Sequence, residues 1–168
     1  EQLAPPKPSD NRYLDYLRIE KRVSDTFRKF NSPHFLLKSN QRINGKYEVD
    51  LLLKGIDKNW SDRIIEVKYF MDKIPMGSVK KSAERLQDLI IFYQKEVNQK
   101  VRPILFLIYK KEKMNQQAVS NIEEQIQKEV KTLPYLKNLK VAIIEEDKIS
   151  EVDVKKILGI RKKNKTKQ

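Results

Sequence analysis

The chain has 168 residues, enough for one domain with its own core, and carries 36 Lys and Arg against 23 Asp and Glu, a formal charge of +13. Residues 161–168 supply five of those positives and no negatives, so the rest still carries +8, a balance that favours a polyanionic partner over a neutral one. The absence of cysteine excludes disulfides and thiolate metal sites and fits a reducing cytoplasm, while no apolar run nears the ~20 residues of a membrane span and no signal peptide is visible.

Residues 1–10, with Ala4-Pro-Pro-Lys-Pro8, read as a linker, and the missing initiator Met suggests a piece of a larger protein with other domains or subunits. Residues 11–30 predict a helix capped by Asp10 or Asn11, with Tyr13, Tyr16, Leu17, Glu20, Val23, Ser24 and Phe27 on one stripe. Asn31-Ser-Pro33 ends it, 34–38 reads as a short strand and 40–45 as a turn. Residues 47–54 form a strand, with Tyr47, Val49, Leu51 and Leu53 on one face and Glu48, Asp50 and Leu52 on the other. A polar connection containing Trp60 leads to a strand over 63–69, where Ile64, Glu66 and Lys68 share a face.

Ser78 is expected to cap a helix reaching about Asn98, on which Val79, Ala83, Leu86, Ile90, Tyr93 and Val97 recur at helical steps. Residues 101–109 read as a strand covered on both faces, 115–131 as a second amphipathic helix, 139–144 as a last strand and 147–158 as a short helix. The basic stretch 159–168 reads as a disordered tail that adds phosphate affinity or merely solubility. Early consecutive strands favour antiparallel pairing and the later alternation favours parallel crossovers, so the expected class is α/β: one domain over 11–158, a mixed central sheet flanked by helices.

The chemistry lies in two apolar runs that admit charge. Asp50 interrupts 47–53, and Glu66 and Lys68 interrupt 64–70. Charged groups rarely enter such runs unless they are paired or bind metal. Glu66 and Lys68, two apart on a strand, point the same way, and Asp50 joins them if the register sets it opposite. Asp50 and Glu66, with the carbonyl of Val67, would then offer hard oxygen ligands to Mg²⁺ or Mn²⁺. Lys68 would orient or deprotonate an attacking water or stabilise a pentavalent phosphorus, three roles the residues alone leave open. The competing reading is a cross-strand ion pair on a solvated face.

Asp50, fifteen intervening residues and Glu66-Val-Lys68 resemble the signature of the PD-(D/E)xK, or restriction-endonuclease-like, nuclease superfamily. The resemblance covers residues 13–144 and implies its core order, αβββαβ. It implies metal-dependent hydrolysis of nucleic acid, DNA before RNA, in restriction, recombination, repair or mobile-element and phage defence. It also implies a metal-binding glutamate on the first helix, where Glu20 stands. Val49 occupies the place that the family's name gives to proline, and Gln87 and Tyr93 lie too far apart for a Gln-x-x-x-Tyr element, so no subfamily is assigned.

Other residues have milder readings. Glu48 shares the face of Asp50 and is placed at the rim. Lys80, Lys81 and Arg85 are candidates for phosphate contact, or else a solvated helix face. Trp60 stacks on a base or covers a sheet edge, and the lone His34 is given no role. The oligomeric state stays open. Rival functions are a non-catalytic nucleic-acid or protein-binding module on the same fold, and a basic module that docks on a membrane surface or a protein.

Overall fold

The structure, a computed structural model, describes residues 11–43 and 45–160; the linker expected before residue 11 and the tail after residue 160 lie outside them. The elements in chain order are α1 (Asn11–Phe30), β1 (Phe35–Ile43), β2 (Tyr47–Gly55), β3 (Asp62–Phe70), α2 (Met76–Val97), β4 (Val101–Tyr109), α3 (Gln116–Gln125), β5 (Lys140–Glu145) and α4 (Val154–Leu158). The first six follow the expected αβββαβ order. The five strands lie in sequence order; β1, β2 and β3 pair antiparallel, and β3, β4 and β5 pair parallel.

The periodicities explain the layers. On β4, Leu105 and Leu107 face one way and Ile104, Phe106 and Ile108 the other, so this strand is covered on both sides as its apolar run requires. The first side is closed by α2 and α3 through Val79, Leu86, Ile90 and Ile122. The second is closed by α1 and α4 through Ile19, Val23, Phe27 and Leu158. Among the described residues no helix is long and apolar enough to cross a membrane.

Several expectations need correction. On α1 the buried stripe runs through Ile19, Val23 and Phe27, and Leu17 is 43% exposed. The expected turn at 40–45 is mostly strand: β1 pairs with β2 as far as Ile43↔Tyr47, and the reversal follows Ile43, with Gly45 at φ +71° and the Lys46 amide donating to Ile43 O at 3.0 Å. Ser78 caps nothing, because Pro75 O already accepts the amides of Ser78 (3.1 Å) and Val79 (3.2 Å) and the helix begins at Met76. Asn115 does cap α3, accepting the Ala118 amide at 2.8 Å, but that helix widens into a π turn over Ile126–Val130. The helix expected over 147–158 is two pieces, a 3-10 turn (Glu146–Glu151) and α4, because Val152 is extended and Asp153 starts a new cap. Trp60 covers the sheet edge, stacked on His34 with ring centroids 4.2 Å apart.

Candidate active site at the splayed strands

β2 and β3 are nine residues each, yet they pair only at Leu51↔Ile65, Leu52↔Ile64 and Leu53↔Arg63. Past Leu51 the strands separate, and Asp50 is the first residue beyond the pairing. Its Oδ2 accepts the Val67 amide at 2.9 Å, so a side chain stands where a strand carbonyl would have been. On the other side of β2 the register steps from Ser39↔Leu51 to Gln41↔Val49 without an Asn40–Asp50 pair, and Asn40 sits at φ +49°. The kink reverses the faces: Val49 and Leu52 join the core under α2, Leu51 and Leu53 the core under α1. This overturns the single face expected for Tyr47, Val49, Leu51 and Leu53, since a strict two-residue period does not survive a left-handed residue in the neighbouring strand.

Glu66 lies on β3 beside this opening and is only 3% exposed. Its Oε1 is buried with no hydrogen-bond partner among the described residues, and its Oε2 is 4.0 Å from Lys68 Nζ. From α1, the Tyr16 hydroxyl donates to Val67 O at 3.4 Å, and Glu20 follows one turn later. Glu20 and Asp50 line one cleft of about 180 Å³, with Lys21, Arg28 and Ser39 on its wall. From α2, Arg85 donates to Glu48 O at 3.4 Å and its charge acts on Asp50 and Glu66.

The electrostatics tie these groups together. Burial, then the charge of Asp50, pushes Glu66 up to about 7, against the pull of Arg85 and Lys68. Burial, then Asp50 and Glu48, pushes Glu20 up to about 7 as well, with a Tyr16 hydrogen bond opposing. Asp50 is itself raised by burial, while the Val67 amide, Lys68 and Arg85 act the other way. The Tyr16 phenol is raised by burial and then by Asp50, Glu20 and Glu66. After burial, Asp50 is the strongest influence on all three neighbours, which places it at the centre of the group.

A second acid on β3 supplies the contrast. Asp62 is also 3% exposed, but its Oδ1 accepts the Gly55 amide at 2.8 Å and its Oδ2 accepts Lys54 Nζ at 2.9 Å and the Tyr93 hydroxyl. Asp62 is a closed structural network of the kind buried charge demands. Glu66, equally buried, is left open.

The fold thus gathers Asp50, Glu66, Val67, Lys68, Glu20 and Arg85. Lys80 goes elsewhere, its Nζ 3.1 Å from Glu129 on the π turn, and Lys81 is exposed and has no ion-pair partner among the described residues. Among the described residues no three acidic or imidazole side chains form a metal-holding cluster, so Glu20 does not complete one with Asp50 and Glu66. Tyr16, which its helical stripe alone assigns to the core, also joins the group; the four-residue step to Glu20 stacks the two on one helix face.

No protein-family model matches the chain, and no curated protein matches it. Among solved structures, a repair endonuclease from Pyrococcus abyssi aligns over 85% of this chain and 50% of its own, at 15% identity and TM-score 0.43. EndoMS, solved as an EndoMS–dsDNA2 complex, aligns over 87% of this chain and 48% of its own, at 15% identity and TM-score 0.40. SfsA from Pyrococcus furiosus, in complex with Ca²⁺, aligns over 79% and 57%, at 11% identity and TM-score 0.37. This chain spans about half the length of the solved chains it matches.

Proposed function

We propose that this domain hydrolyses phosphodiester bonds in nucleic acid, DNA before RNA, using a divalent cation held by Asp50 and Glu66, as part of a larger protein. The observation that carries the reading is the unpartnered, buried Oε1 of Glu66 beside Asp50, set against the fully partnered Asp62 on the same strand. A buried carboxylate oxygen without a partner costs about 1–3 kcal/mol or more, and a cation there removes that cost.

The donor set fits Mg²⁺ or Mn²⁺. Two carboxylates and the Val67 carbonyl are hard oxygen ligands, and Mg²⁺ characteristically takes one or two carboxylates and keeps several waters, so a cluster of three acids is not required. Such an ion, when bound, neutralises phosphoryl oxygens and lowers the pKa of a bound water. The chain's own residues do the rest. The Val67 amide fixes Asp50 by one oxygen and leaves Oδ1 for other work. Lys68, 28% exposed beside Glu66, brings a cation to the phosphate or to its attacking water. Tyr16 holds the Val67 carbonyl in place, and Glu20 sits across the cleft as an outer partner that orients rather than ligates. Arg85 balances the acids from α2 and stands ready for a phosphate oxygen.

The test is incubation with plasmid DNA, linear DNA and RNA in Mg²⁺, Mn²⁺ or EDTA, beside Lys68→Ala. Cutting that needs metal and is lost in the variant supports the proposal. Salt-sensitive binding without any cutting would mark the chain as a binding module.

A further inference from the structure

A second concentration of charge lies down β3 from Glu66, at the end of the sheet where β3, β4 and β5 begin. Arg63 and Arg102 are register partners on adjacent parallel strands. They open onto a cavity of about 260 Å³ whose wall also carries Lys131, Lys137 and Lys140, and no acidic side chain lines it. None of the five cations makes an ion pair among the described residues. Asp62, which precedes Arg63 on β3, is already bonded to Lys54, Tyr93 and the Gly55 amide.

Arg63 is the telling member. It is 4% exposed, packs its guanidinium over the Phe35 ring at 5.2 Å, and donates to two carbonyls, Ser61 O and Leu158 O, the latter at 3.1 Å. Those bonds hold the end of α4 against the sheet, but they account for only part of a guanidinium's five donors. Burial, then the charge of Arg102, lowers Arg63 to about 10 against the pull of Asp62, so two like charges are held side by side on adjacent strands. A role limited to pinning α4 explains Arg63. It does not explain Arg102 and three lysines converging on the same cavity.

We propose that this cavity binds a phosphate group. Forked guanidiniums match tetrahedral oxyanions with two bonds each, and the surrounding lysines add charge without geometric demand. A cavity of this volume takes a group rather than a drug-sized molecule. The chain carries a formal charge of +13, so the favoured source is the backbone of a nucleic acid. Free phosphate shares the chemistry. The inference does not rest on the hydrolytic reading.

The experiment uses the full chain in EDTA, where nothing is cut, and a labelled short DNA duplex read by fluorescence anisotropy. Arg102→Glu with Lys140→Glu reverses two exposed cations of the cavity; Lys95→Glu with Lys128→Glu makes the same charge change elsewhere. The cavity pair is expected to weaken binding about tenfold and to flatten the salt dependence by about two phosphate contacts, with the control pair losing no more than about threefold. Calorimetry with inorganic phosphate forms the second arm: heat that vanishes in the cavity pair, with duplex binding intact, supports the site and names free phosphate as its occupant. Equal loss in both pairs with no phosphate heat overturns the inference, as does selective loss of binding to phosphatidylserine vesicles with both phosphate arms unchanged. If the reversed pair fails to fold, Arg102→Ala with Lys137→Ala replaces it.

Discussion

The carboxylate of Asp50 accepts the amide of Val67 at 2.9 Å, directly beyond the last residue pair that joins β2 to β3. One acid thus closes the end of a strand pairing and stands at the mouth of the gap that the parting strands create. A structural role and the proposed chemical one meet in it, and substitutions can separate them.

Asp50→Asn keeps an acceptor for the Val67 amide and removes the charge. Its unfolding free energy should stay within about 1 kcal/mol of the parent's, whereas Asp50→Ala, which strands the amide, should lose about 1–3 kcal/mol. Denaturant titration in EDTA decides between them. A collapse of the Asn variant would make Asp50 an ion-pair partner of the fold and nothing more.

Glu66 titrates near 7 in the folded chain against an ordinary 4.5. Between those values the native state holds a proton that the unfolded chain has released, so stability falls as pH rises from about 4.5 to 7 and then levels. Glu66→Gln removes that loss. Without metal the variant should match the parent near pH 4.5 and exceed it above pH 7 by about 3 kcal/mol, measured by urea unfolding across the range. A gap that shrinks with rising pH would reverse the assigned cause.

Asp62 should behave oppositely. Asp62→Ala leaves Lys54 and the Tyr93 hydroxyl without their shared partner and should cost about 3–5 kcal/mol, with Mn²⁺ affinity of the folded fraction unchanged. Loss of metal binding in a well-folded Asp62→Ala chain would move the site to the other acid.

Gly55 is fixed by a close approach: a Cβ there would stand 1.8 Å from the Trp60 carbonyl oxygen. Gly55→Ala should therefore destabilise by about 2–3 kcal/mol and disturb the His34–Trp60 stack, visible as a change in Trp60 fluorescence. An Ala variant as stable as the parent would show that the 55–61 connection yields easily.

Much of this was written in the sequence. The helical steps of 11–30 and 76–97 and the unbroken apolar run of β4 leave one packing solution each, so those elements were legible to within a residue or two. The trio Asp50, Glu66 and Lys68 was legible because charge inside an apolar strand is costly and so stands out. Other features were not. The face reversal at Asp50 depends on Asn40, ten residues away in another strand, and no local period carries it. Asp62 opens its strand next to a polar connection, where an acid is unremarkable until Lys54 and Tyr93 fold onto it. Arg85 reads with Lys80 and Lys81 as a candidate phosphate contact or a solvated helix face, and only the fold brings its charge to bear on Asp50 and Glu66.

The most direct test is a calorimetric titration of the metal-free chain with Mn²⁺, beside Glu66→Gln. One saturable site per chain in the parent, weakened at least about tenfold in the variant, is the predicted result. No binding to a folded parent, or equal binding to both, would contradict a cation held between Asp50 and Glu66.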